Sequence, residues 1–294
     1  MILMVGASGF IGSRLLEHYK KRGVSAVGTY CKNFRKGLIY YNVADIKEND
    51  LDFIDESCRF GIIAVSIGSI DYHKLHISEY LRVNKSIKKI ISVLNSKRAI
   101  PVFLSTDYVF EGVAGDYKED DPVKPTTEYG KSKTEIEEYL KTEYEDYIII
   151  RLGKVYGHSP GDGTLLTGII SKLQRGETIK AADDQIIAPT SVIDAVSGIS
   201  KIIDSGHTGI FHISSPEVRS RYEVSALIKE KMQWLKGSVE KVGINDLFFA
   251  EKRPLNTTMN SDKTSEMFGI TYTSIEDNIL KIEREYNEKK VQRI

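Results

Sequence analysis

The chain has 294 residues, 41% of them apolar and 28% charged, and its 41 basic residues balance 41 acidic ones. This is enough polypeptide for a large core and more than one structural region. A net charge of zero gives no support to non-specific nucleic-acid or acidic-membrane binding, which needs a positive field, although a local basic patch stays open. The two cysteines, Cys31 and Cys58, lack metal-ligand spacing and form no disulfide framework, which fits a reducing compartment. No signal-like segment precedes the first apolar strand, and no apolar run approaches the ~20 residues of a membrane helix. The cytoplasm is the expected location, with no nucleic-acid or membrane partner.

In chain order, Met1–Val5 reads as a buried strand and Phe10–Arg22 as a helix with Ile11, Leu15, Leu16 and Tyr19 on one face, closed by Gly23. Ser25–Tyr30 is a second strand and Leu38–Tyr41 a short third. Glu48–Cys58 reads as a weak helix and Gly61–Ile67 as a strand. Glu79–Ser96 is a helix with Leu81, Ile87, Ile90, Ile91 and Leu94 on one side. Pro101–Ser105 is a strand, Ser132–Thr142 a helix and Tyr147–Leu152 a strand. Such alternation implies an α/β fold, a Rossmann-type doubly wound parallel sheet covered by helices. Beyond about Leu152 the pattern is less regular, with helices near Leu165–Arg175, Val192–Asp204 and Tyr222–Leu235, a short strand at Ile210–Ile213, and a charged, solvated helix at Glu283–Arg293. The expected organisation is a dinucleotide-binding domain over residues 1–155, with segments near 186–214 returning to it, and a smaller mixed α/β substrate-binding region over 156–294.

The run Gly6-Ala7-Ser8-Gly9-Phe10-Ile11-Gly12 follows the first strand and opens the first helix. Glycines there permit a tight turn and let a pyrophosphate approach the backbone, while the helix N-terminus offers free N–H groups. The plainer alternative is a structural turn; the strand–turn–helix context favours the dinucleotide. The second strand ends in Thr29-Tyr30-Cys31-Lys32, followed by Arg35 and Lys36, with no carboxylate before Asp45. An acid at that place would bind a ribose 2′-hydroxyl. A basic cluster favours a 2′-phosphate, hence NADP(H) over NAD(H), with Tyr30, Lys32 and Arg35 as candidate contacts. Asp45 either reaches the adenine edge or caps a helix.

Tyr129 and Lys133, in Tyr129-Gly130-Lys131-Ser132-Lys133, share a face if helical. A phenol titrates near pH 10, and a neighbouring ammonium is expected to stabilise its phenolate and make it the proton donor in carbonyl reduction. Thr106 stands at a strand end, where ligands bind in such sheets, and can hydrogen-bond a substrate oxygen.

These blocks resemble the extended short-chain dehydrogenase/reductase family, and within it the dTDP-4-dehydrorhamnose reductases and their relatives. The resemblance covers nearly the whole chain. It includes the glycine run, Ser105-Thr106-Asp107-Tyr108-Val109-Phe110, Tyr129–Lys133, Arg151 with Val155-Tyr156-Gly157, Asp184-Gln185, Pro189-Thr190 and Arg253-Pro254 with Asn256. It implies Thr106, Tyr129 and Lys133 as the catalytic set, Tyr129 also against the cofactor and Lys133 also on the nicotinamide ribose, with Asn84 near that lysine and, like Ala64, Val65 and Ser66, along the cofactor. Asp71, Thr106, Asp107, Tyr108, Lys154 and Arg253 are the implied substrate contacts. The implied activity is reduction of a keto group on a nucleotide-activated sugar, by a chain that leaves room for a homodimer.

Related dehydratases carry Thr-Asp-Glu where this chain has Thr106-Asp107-Tyr108, and a phenol that holds its proton at neutral pH cannot replace that carboxylate base. A sugar-nucleotide epimerase, or a non-catalytic NADP-binding regulatory subunit like that of methionine adenosyltransferase, stays open as an alternative. Two departures stand out. The family's Asn-Ala-Ala-Ala-Tyr-Thr-type segment is replaced by Ile63–Asp71, in which Ala64 and Asp71 match, and Lys154 replaces an expected aromatic. His73 and His76, three apart near Asp71, lack further metal ligands and are read as polar lid or pocket residues.

Overall fold

The computed structural model describes residues 1–45, 51–66 and 68–291. The chain divides into two compact units, one of Met1–Phe110, Pro122–Arg151 and Val196–Phe211, the other of Glu111–Asp121, Leu152–Ala195 and His212–Ile294.

The first unit is built on β1 (Ile2–Val5), α1 (Phe10–Lys21), β2 (Ala26–Tyr30), β3 (Ile39–Tyr40), β4 (Phe60–Ile63), α2 (Ile70–Leu75), α3 (Ile77–Ser96), β5 (Ile100–Thr106), α4 (Glu128–Glu143) and β6 (Ile148–Leu152). With the strand Gly209–Ile213 they form a seven-stranded sheet in the order Gly209–Ile213, β6, β5, β4, β1, β2, β3. The pairs β1/β2, β1/β4, β2/β3 and β4/β5 are parallel. This is the expected Rossmann-type arrangement, whose order reverses beside β1.

Alternation along β1 divides its residues between two faces. Leu3 and Val5 join Ile63, Phe103 and Ile149 of the sheet, Val83, Ile87, Ile90, Ile91 and Leu94 of α3, and Ile136 and Leu140 of α4 in one core. Burying each such side chain contributes roughly 1.5–3 kcal/mol. α1 buries Leu15, Leu16 and Tyr19. It is also tied to the helix Val192–Ser205, where His18 Nε2 lies 3.1 Å from Ser200 Oγ and Arg22 pairs with Asp204 at 2.6 Å.

Four expectations are corrected. Leu51–Cys58 forms turns rather than a helix, because Asp55 accepts from both Ser57 N (2.8 Å) and Ser57 Oγ (2.5 Å), a local turn that competes with helical bonding; Glu48, Asn49 and Asp50 lie outside the described residues. Leu81 is 49% exposed, and Tyr80 and Val83 take the inward positions of α3 instead. α4 begins four residues before Ser132, because the Thr127 hydroxyl accepts from Gly130 N at 3.1 Å and caps it there. The last helix, Ile275–Val291, starts before the expected solvated stretch Glu283–Arg293 and buries Tyr286 within it, whereas Arg284, Asn287 and Glu288 are exposed as expected and Gln292 and Arg293 lie outside the described residues. Its Ile275, Ile279, Ile282 and Tyr286 pack with Tyr156, Leu166, Ile170, Val224 and Ile228 in the core of the second unit.

In that second unit Lys154–Tyr156 pairs in parallel with Pro189–Ser191, and Thr178–Ala182 with Ser238–Val242. The helix Arg221–Lys231 opens on a reciprocal cap between Ser220 and Glu223.

Candidate active site

The glycine run forms the turn its spacing predicts. Gly6 has φ +89°, and a Cβ at Gly12 would stand 2.4 Å from the Gly6 carbonyl oxygen, so no larger residue fits the closure. Gly6 N donates to Thr29 Oγ1 at 3.1 Å, fixing the turn to the end of β2. No side chain caps α1, whose first N–H groups face the turn's mouth.

A cavity of about 230 Å³ opens there, lined by Gly6, Ser8 and Gly9 of the turn, Tyr30 at the end of β2 with Cys31 and Lys32 beyond it, Tyr41–Ala44, and Ala64, Val65 and Ser66 after β4. Several sequence candidates stand elsewhere. Phe10, Ile11 and Gly12 belong to α1 behind the lining, with Arg14 stacked 4.3 Å over the Phe10 ring. Arg35 and Asp45 are exposed and off the cavity wall, because the chain from Tyr41 to Ala44 lies against it instead. That stretch is shaped by Asn42, whose Oδ1 accepts from Ala44 N at 3.1 Å. Thr29, Asn42 and the carboxylate Glu79, which accepts from Tyr72 Oη at 2.7 Å, are lining residues that sequence reasoning missed.

The second half of the site lies where β5 ends. Lys133 is 7% exposed, and its Nζ donates to the carbonyls of Val65 (3.0 Å) and Leu104 (3.1 Å). Val65 is thus a shared wall, lining the glycine-turn cavity with one surface and anchoring the lysine with its carbonyl. Asn84 Nδ2 donates to the Ser132 carbonyl (2.9 Å) and to Glu135 Oε2 (2.8 Å), tying α3 to α4 one residue from Lys133.

Tyr129 is half-buried between two aromatic edges, His73 at 4.9 Å and Tyr108 at 5.9 Å between ring centroids. Thr106 Oγ1 donates to Asp107 Oδ1 at 2.9 Å and accepts from Tyr108 N, so the hydroxyl is held in place beside the phenol. Gly130 permits this approach, since a Cβ there would lie 2.1 Å from the Tyr108 carbonyl oxygen. Gly130→Ala is therefore expected to push α4 off the Thr106–Tyr108 turn and lower kcat roughly 100-fold. Cofactor affinity measured by fluorescence titration should fall far less than kcat, because α4 also carries Lys133, the anchor of the Val65 wall.

The electrostatics correct one expectation. Loss of solvent pushes the Tyr129 phenol up to about 12, with Asp107 adding to the rise and the Thr106 hydrogen bond opposing it. The Lys133 ammonium is spent on two carbonyls, and burial lowers it to about 8, opposed by the charge of Glu137. Tyr129 is a phenol that keeps its proton rather than one made acidic by its neighbour.

Glu137, one turn beyond Lys133, is fully buried and receives Ser105 Oγ (2.5 Å) and Arg151 Nη2 (2.8 Å). The sequence reading missed Glu137, although spacing alone puts it on the Tyr129–Lys133 face. Asp71 lies in the first turn of α2. His76 stacks on Tyr72 at 3.8 Å, and among the described residues no group of three His, Cys, Asp or Glu comes together as metal ligands. In the second unit, Lys154 opens the strand paired with Pro189–Ser191, and Arg253 stacks over the Phe249 ring at 4.8 Å.

A family model described as the RmlD substrate binding domain matches residues 1–287. The chain belongs to this RmlD family. Over 233 residues it is 30% identical to the spore coat polysaccharide biosynthesis protein SpsK of Bacillus subtilis, covering 78% of each chain. The dTDP-4-dehydrorhamnose reductase of Aggregatibacter actinomycetemcomitans is 27% identical over 285 residues, 92% of this chain and 93% of that one. Among solved structures, the dTDP-4-dehydrorhamnose reductase of Bacillus anthracis in complex with NADP superimposes with a TM-score of 0.82 at 23% identity, covering 98% of each chain. As in the sequence reading, the RmlD match spans both units, and no helix among the described residues is long and apolar enough to cross a membrane.

Proposed function

We propose that this RmlD-family protein reduces a keto group on a nucleotide-activated sugar with a nicotinamide dinucleotide, NADPH ahead of NADH. The observation that carries the reading is the shared wall at Val65, which brings the end of the glycine-turn cavity to the ammonium of Lys133. Gly6, Ser8, Gly9 and the α1 N-terminus suit the pyrophosphate, because the turn leaves no room for side chains and presents N–H groups. Lys32 on the cavity wall suits a 2′-phosphate. The NADP in the Bacillus anthracis relative supports a nicotinamide dinucleotide at this turn.

A bound nicotinamide supplies hydride to the keto carbon. The protein's part is the proton. Tyr129 Oη, protonated at working pH, gives its hydrogen to the developing alkoxide, and Thr106 orients the carbonyl oxygen by turning its single hydroxyl hydrogen from Asp107 to it. Lys133 supplies positive charge beside the phenolate left behind. Asp71, Asp107 and Tyr108 are the polar contacts assigned to the sugar, and Lys154 and Arg253, as cations, suit its phosphates.

The test is oxidation of NADPH and of NADH by the purified protein across a panel of 4-keto sugar nucleotides. Turnover with at least one, faster with NADPH, is expected. Tight NADPH binding without turnover on any would sink the reading. The pH profile follows from the site. Lys133 carries charge only below its pKa of about 8, whereas Tyr129 holds its proton to about 12. The value of kcat/KM for reduction should therefore fall as pH rises through about 8, a limb read directly from steady-state rates.

A further inference from the structure

His73, just beyond the altered Ile63–Asp71 segment, touches the tyrosine assigned as proton donor. It is 3% exposed, edge-on to Tyr129 and stacked at 6.0 Å with Tyr80. Its Nδ1 lies 3.0 Å from the Ser69 carbonyl oxygen, which can only accept, so Nδ1 carries the hydrogen and Nε2 is the basic nitrogen.

Beside it is a cavity of about 10 Å³, the lower bound for one water, walled by Ser66, His73, Tyr80, Asn84, Ser132 and Lys133 among others. The titratable groups on that wall are few. Tyr80 Oη donates to Glu128 Oε2 at 3.0 Å. Asn84 is committed on both amide atoms, to Ser132 and Glu135, and is thereby a strut rather than a carrier. Lys133 has spent two of its three N–H bonds on carbonyls. Ser66, on the same wall, is exposed.

We propose that His73 is a proton-relay residue that refills the Tyr129–Lys133 pair from solvent after each turnover, an inference that rests on the keto-reductase reading. When Tyr129 Oη releases its proton to the carbonyl oxygen, the phenolate takes one from Lys133 Nζ. His73 Nε2, bare in the resting tautomer, takes a proton from water and hands it across the cavity to the neutral amine. One proton enters for each one that leaves. From protonated His73 to Lys133 the transfer is downhill, because burial and the Lys133 charge hold His73 below the usual histidine range, opposed by its bond to Ser69 and by Glu79, while Lys133 sits near 8.

His73→Phe keeps an aromatic edge on Tyr129 and removes both nitrogens. Expected are an unchanged NADPH affinity, a kcat about tenfold or more below wild type, and a larger solvent deuterium isotope effect on kcat. In His73→Ala, added imidazole should restore rate saturably. Independently of turnover, nitrogen-15 NMR of the full chain should find His73 protonated on Nδ1 and titrating below the usual range, with its pKa rising in Lys133→Met. An active wild type with His73→Phe equal to it in kcat and isotope effect overturns the relay alone. The same holds for an Nε2–H tautomer or a His73 titration indifferent to Lys133→Met. A wild type that binds NADPH but reduces no keto sugar overturns the reductase reading and the relay together.

Discussion

Tyr129→Phe should lower kcat for keto reduction by about 10²–10⁴-fold while NADPH binds as before. The substitution deletes a single oxygen. The ring keeps its edges on His73 and Tyr108, and Gly130, which seats α4 on the neighbouring turn, is untouched. The cavity at the glycine turn does not include Tyr129 among its lining residues, so fluorescence titration should separate binding from chemistry. A variant that reduces keto sugars at the wild-type rate would take the proton donor away from Tyr129. A variant that loses NADPH would show that the phenol holds the cofactor rather than the proton.

The second large effect is on stability. Arg151 and Glu137 are 1% and 0% exposed and joined at 2.8 Å, with Ser105 completing the carboxylate's bonds and the Phe110 ring 5.0 Å from the guanidinium. A buried pair of this kind adds little over an apolar replacement, but removing one partner strands a charge. Arg151→Ala is therefore expected to cost about 3–5 kcal/mol in urea unfolding, and replacing both residues by apolar ones of similar volume should recover much of it. An Arg151→Ala cost under about 1 kcal/mol would mean that water reaches the carboxylate. Glu137→Gln carries a second signature. Glu137 is the charge that opposes the lowering of Lys133, so its loss should move the alkaline limb of kcat/KM below about 8.

Much of this was readable from the chain. The glycine run, the strand–helix alternation and the Tyr129/Lys133 spacing each follow from local rules of backbone freedom and periodicity, and the structure places them as expected. What local rules missed was set by long-range packing. Nothing in the run Tyr41–Ala44 announces that it walls the dinucleotide cavity, because that depends on where β3 pairs along β2. The lowered acidity of Tyr129 had the same origin. Spacing puts an ammonium beside the phenol, but the carbonyls of Val65 and Leu104, from two different strands' ends, claim it first. The sequence reads His73 as a polar lid or pocket residue, but one sequence cannot show which ring a buried histidine will meet.

The outermost place in the sheet beside β6 belongs to a strand that arrives late. Gly209 N donates to the Tyr147 carbonyl at 2.7 Å, and Gly209–Ile213 closes that edge. A growing polypeptide on the ribosome thus exposes the apolar run Ile148-Ile149-Ile150 along an open rail until residue 213 has emerged. This is the interval in which self-association is most favoured, and in which a chaperone has most to protect.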